Sequence, residues 1–223
     1  VSSGDAPSKG LRAGQTLTVS GDAQVREGFD AVGGTLNIEG GTVGSSLATV
    51  NTQVNISGGS VESNFGAFDG STISISGGTV GTRFDAFAGS EVNISGGIVG
   101  PNFDANSGST VNISGGIVGD SFDAESGSTV NISGGRVGVD LDSNTVTGLR
   151  ASSGSTVNIA GGSIESGIVA ESGSTVNISS GSVGGFGASG STVAISGGNV
   201  DGFRAFDDST VNFSGGSIGT GFN

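Results

Sequence analysis

The sequence predicts an all-β fold: a right-handed parallel β-helix, a three-sided β-solenoid of about eleven coils. Three observations predict it. The phrase V-N-I-S-G-G returns at a near-constant interval along the 223 residues. Apolar residues hold fixed places within each copy. The remainder is polar and glycine-rich, with 47 Gly and without collagen's every-third spacing.

Registered on the first apolar residue of "VNI", the copies begin at Leu17, Leu36, Val54, Ile73, Val92, Val111, Val130, Val157, Val176, Val193 and Val211. Most steps are 19 residues, three are 17 or 18, and one is 27. V-N-I alternates with period 2, as a strand with one buried face does, and Val, Ile and Thr are good strand formers. The third position is apolar in every copy, from Val19 and Ile38 to Phe213. So is the eighth, from Val25 and Val43 to Ile218. The twelfth is Phe in eight copies and Leu47, Leu149 or Ile168 in the others, and Ala follows two residues later in nearly all.

Each unit thus offers three short inward-facing segments separated by Gly-rich corners, where the chain turns through conformations that a Cβ resists. One unit cannot bury its own apolar side. Stacked units can, each strand pairing with its equivalent one coil on and placing like on like. The inward positions fall at uneven steps of 2, 5, 4 and 2 residues and coil length varies. That argues for a right-handed winding over the strict hexapeptide period of left-handed β-helices. Residues 1–14 do not fit the repeat and are expected to cap the first coil's open edge. Residues 15–223 form the repeat domain, with an insertion at about 139–146 in the coil starting at Val130.

This spacing resembles the parallel β-helix, or pectin-lyase-like, superfamily, and in particular the repeat domains of secreted bacterial surface proteins and autotransporter passengers. The resemblance covers residues 15–223. It implies an extracellular or cell-surface location. It leaves activity open, because adhesins, sugar-cleaving enzymes and ice binders share the architecture.

Charge narrows the partners. A formal net charge of −13 with only seven Lys and Arg argues against nucleic acid and acidic lipid. No stretch approaches the ~20 apolar residues of a membrane span. With no Cys, thiol and disulfide chemistry are absent. The start at Val1 reads as a processed or cut terminus. The stop at Asn223, mid-coil, suggests that the segment continues in a longer secreted protein or stacks on another molecule.

Four features are candidate sites. The outward face of the "TVNIS" strand carries Thr72, Thr110, Thr129, Thr156 and Thr175 at its start and Asn93, Asn112, Asn131, Asn158 and Asn177 two positions further along the repeat unit. Stacked at ~4.8 Å, these make regular columns, similar to the ice-binding face of β-solenoid antifreeze proteins. They are equally what a soluble parallel sheet shows to water. Asp85, Asp104 and Asp123 share one position in three consecutive coils, followed by Arg150. Stacked equivalents are expected to have nearly equal environments, which disfavours acid–base catalysis; a cation could offset their repulsion. Asp140, Asp142 and Asn144 have the spacing of a calcium loop's start, but Thr145 stands where its turn Gly belongs, so a solvated loop is the simpler reading and no cofactor is required. Phe68, Phe87 and Phe206 follow the inward Ala and alternate outward, either as an exposed patch or folded over a corner.

The expected function is a non-catalytic rod that spaces, displays or adheres through its faces. The alternatives are ice binding and a polysaccharide-binding or -cleaving β-helix. The expected partners are a surface, a carbohydrate, a protein, ice, or further copies associating end to end or face to face.

Overall fold

The computed structural model describes residues 10–141 and 147–219. The chain is a parallel β-solenoid of about ten turns, with about 19 residues to the turn. Most turns contribute three strands, as in Thr110–Ile113, Ile117–Gly119 and Phe122–Ala124. Because each strand's neighbour is the same segment one turn away, every pairing is parallel. The first and second strands belong to one sheet of 20 strands and the third strands to another of 10. From Thr16–Val19 to Thr210–Phe213 the first strands pair with no register shift across their four residues. Among the described residues no helix is long and apolar enough to cross a membrane.

Register turns sequence repetition into packing. In the first strands Val and Ile are buried while Thr and Asn face out. In the third strands Phe and Ala point inward. Phe65, Phe84, Phe103 and Phe122 stack as parallel rings, with centroids 4.5–4.7 Å apart. Leu149 and Ile168 then continue the file as aliphatics before Phe186 and Phe203 resume it. A separate file of buried Ser, including Ser90, Ser109, Ser128, Ser155 and Ser174, lies at the corner before the first strand. Each of these hydroxyls donates to the carbonyl three residues back, at 2.6–2.7 Å, so the buried polar group is satisfied.

Two corners control the stacking. At the Gly-Gly corner the chain runs so close to the turn before it that a Cβ on Gly115 would lie 2.4 Å from the Ser95 carbonyl oxygen. Ser180 occupies the equivalent place in one copy. There the strands Thr156–Ile164 and Thr175–Val183 run through the corner, and the ladder slips register at Ala160. The corner before the third strand uses left-handed non-Gly residues, Asn64, Arg83, Asn102 and Ser121, with φ of 55–61°. Each turns its N–H onto a carbonyl of the following turn, which holds this conformation in place.

The ends differ from the middle. Leu11 is buried and adds one bridge to the third-strand sheet beside Ala31; residues 1–9 of the expected cap lie outside the described residues. In the last described turn Phe213 is 51% exposed, and Val211 and Ile218 are only half-buried.

Candidate functional site

On the first-strand face, side-chain amides bond along the file. Asn112 donates to Asn93, Asn131 to Asn112, Asn158 to Asn131 and Asn177 to Asn158, each at 2.9 Å. A shorter ladder joins Asn55 to Asn37 at 2.8 Å. Ser74 and Ala194 interrupt the file. Each interior amide spends one N–H and its carbonyl oxygen on its neighbours, so its rotamer is fixed. Beside this ladder Thr110, Thr129, Thr156 and Thr175 stand half-exposed in four consecutive turns. Thr72 belongs to the same file but is separated from them by Glu91, whose carboxylate accepts from Asn93 and Asn112.

The acidic file lies on the outward side of the third-strand sheet. Asp85, Asp104 and Asp123 are in register, followed by Arg150. Their environments are not equal, contrary to the expectation from repetition, because the file has two different ends. Arg150 grips Asp123 with two hydrogen bonds of 2.7 and 3.1 Å, and this pairing holds the guanidinium's pKa above its usual value. At the other end Asp85 adjoins Gly66, which offers no side chain. Asp104, in the middle, is pushed up to about 7 by partial burial and then by the charges of Asp85, Asp123 and Glu125. Asp85 is also raised by burial, partly offset by hydrogen bonds from Asp104 and Asn106. The hydrogen bond between the two carboxyls favours the proton on Asp104 and the charge on Asp85. They line a groove of about 400 Å³ together with Asp123, Arg150 and the left-handed corner residues Asn64, Arg83, Asn102 and Ser121.

Phe68 and Phe87 lean over this same face. Their rings are half-buried and stacked, 4.4 Å apart. Phe68 lies across Gly66, where a Cβ would come within 2.7 Å of the ring. The folded-over arrangement thus describes these two, whereas Phe206 is 55% exposed.

The long turn leaves the solenoid at Arg136–Val139, where the ladder slips so that Val139 meets Gly119. It returns at Thr147, whose carbonyl accepts the Ser121 N–H. Asp120 is buried at its root and Asp140 is exposed. Asp142 and Asn144 lie outside the described residues. Among the described residues no three acidic groups converge as a metal site would require. A hollow of about 740 Å³ lies between Leu11 and Phe29 in the first described turn.

Sequence reasoning located the Thr, Asn and Asp files but missed the Ser file and the unequal environments of Asp85, Asp104 and Asp123. Periodicity assigns a face to a strand residue. It says nothing of a corner residue, nor of how one carboxylate's charge acts on the next.

Fold and faces together define a parallel β-solenoid of tandem repeats whose chemistry resides in files of side chains. No protein family, curated protein or solved structure matches the chain.

Proposed function

We propose that this chain is a non-catalytic rod, extracellular or at a cell surface, that sets a distance and displays adhesive faces. The observation that supports this reading is the unbroken register of the first strands from Thr16 to Phe213. Ten steps of ~4.8 Å make a rod about 48 Å long. The polar groups of the Thr-Asn face bond along the rod instead of converging on a point, which suits a surface better than a reaction centre. Small-angle scattering on the chain and on a version with residues 111–129 duplicated tests it. The longest dimension should grow by about 5 Å at constant cross-section. A changed cross-section would refute the rod. Release of products from an acidic polysaccharide, lost in Asp104→Asn, would refute the non-catalytic part and support the sugar-cleaving alternative.

A second reading, ice binding, is favoured by one observation: four consecutive half-exposed Thr residues beside a ladder of fixed Asn amides. Thermal hysteresis abolished by Thr129→Lys would select it. No hysteresis in the wild-type chain would remove it.

A further inference from the structure

The outward side of the third-strand sheet is chemically lopsided. At its N-terminal end Val32, Val50, Phe68 and Phe87 form an apolar stripe over four successive turns. Val32 and Val50 are about 40% exposed. Next to the stripe stand Asp85 and Asp104, which no Lys or Arg pairs among the described residues. At the C-terminal end the same two outward files finish in Arg204 and Phe206. Both are exposed, and Arg204 has no acidic partner among the described residues.

We infer that a second copy of this chain docks antiparallel on this face, Arg204 and Phe206 of each copy meeting Asp104 and Phe87 of the other. A two-fold axis along the strand direction reverses the order of the turns but keeps each file over its own counterpart. Placed between the strands Leu149–Ala151 and Ile168–Ala170, it sets the turn of Arg204 over that of Asp104, with Asp85 one turn away. Phe206 then arrives over Asn106, beside the uncovered face of the Phe87 ring, and extends the Phe68–Phe87 stack. Val169, 53% exposed, lies over the Arg150 stem. Glu125 opposes Ser189 and Glu171 opposes Ser152, so within these two files no carboxylate faces another, although Ser189 donates to the Asp207 carboxylate at 3.1 Å. A parallel arrangement would set Asp85 on Asp85 and each like charge on itself, in a chain of net charge −13. Six overlapping turns span about 29 Å, and a face this narrow buries on the order of 900 Å² in total. That is below the standard size, so the association is weak and salt-sensitive.

Sedimentation velocity on the whole chain in low salt, from about 1 to 200 µM, tests the inference. The wild type should dimerise reversibly, and added salt should dissociate it. Arg204→Asp, Phe206→Ser and the double change Asp85→Arg with Asp104→Arg should each weaken the dimer at least tenfold, with circular dichroism unchanged. Mixing the Arg204→Asp chain with the doubly substituted chain should restore wild-type affinity, because each of the two contacts is again between opposite charges. A chain that is monomeric throughout, a dimer indifferent to these changes, or a mixture that stays dissociated would overturn the inference. A rod of the expected length that remains monomeric would overturn this docking and leave the rod reading intact.

Discussion

Replacing Gly115 by Ala adds one methyl carbon, and the structure says where it would go. The new Cβ would sit 2.4 Å from the Ser95 carbonyl oxygen one turn below. Ordinary contact begins near 3.4 Å, so the two turns must separate locally by about 1 Å in a stack that rises ~4.8 Å per turn. The groups nearest the clash are the N–H of Ser114 and of Gly115, both donating to the Ile94 carbonyl at 2.8 and 3.3 Å, and that of Ile117, donating to Gly97 at 3.0 Å. Loosening two or three such bonds, at ~1 kcal/mol each, predicts a loss of roughly 2–3 kcal/mol. Ser180 sets the upper bound: the chain accommodates a side chain at this position by slipping its ladder at Ala160. Gly187→Ala is the matched control, since its Cβ meets nothing within 4 Å, and it should be neutral or slightly stabilising. Urea denaturation of both variants gives the comparison. Equal stabilities would refute the claim that close approach of the turns, and not chain flexibility, dictates this glycine.

The other expectations concern the files. Phe103→Ala leaves a hole between Phe84 and Phe122 and should cost about 3–5 kcal/mol, while Phe103→Leu, the natural solution at position 149, should cost clearly less; urea midpoints distinguish them. Asn131→Ala removes two ladder bonds of 2.9 Å and should cost about 1–2 kcal/mol, whereas Asn37→Ala removes one bond of 2.8 Å and a long one of 3.5 Å to Thr18, and should cost less. For Asp104 the folded pKa, about 7, lies above the ordinary 3.8, so protonation favours the folded state. Its stabilising contribution is complete below pH 3.8 and fades as pH rises through about 7. Asp104→Asn should therefore stabilise the chain at pH 8 relative to wild type and flatten thermal stability between pH 5 and 8. A wild-type profile unchanged by the substitution would count against the raised pKa of Asp104.

Much of the architecture was legible because a solenoid makes one-dimensional repetition equal to three-dimensional neighbourhood. Val111 lies on Val130 because both fill the same place in the unit, and the Phe, Asn and Asp files follow from the same rule. Even the breaks in the Phe file, at Leu149 and Ile168, could be read off in advance. The tertiary structure alone decided what happens where the unit bends or where unlike residues meet across turns. Ser90, Ser109, Ser128, Ser155 and Ser174 are buried with their hydroxyls satisfied because the corner aims each at a carbonyl three residues back. Phe68 folds back onto Gly66 of its own turn because that residue has no side chain to fill the space. Asp104 is pushed up to about 7 by partial burial and then by neighbouring carboxylates, while Asp123 is paired, because the column ends in Gly66 on one side and Arg150 on the other. Periodicity determines which way a side chain points. Its burial, partner and charge depend on distances that only the wound chain creates.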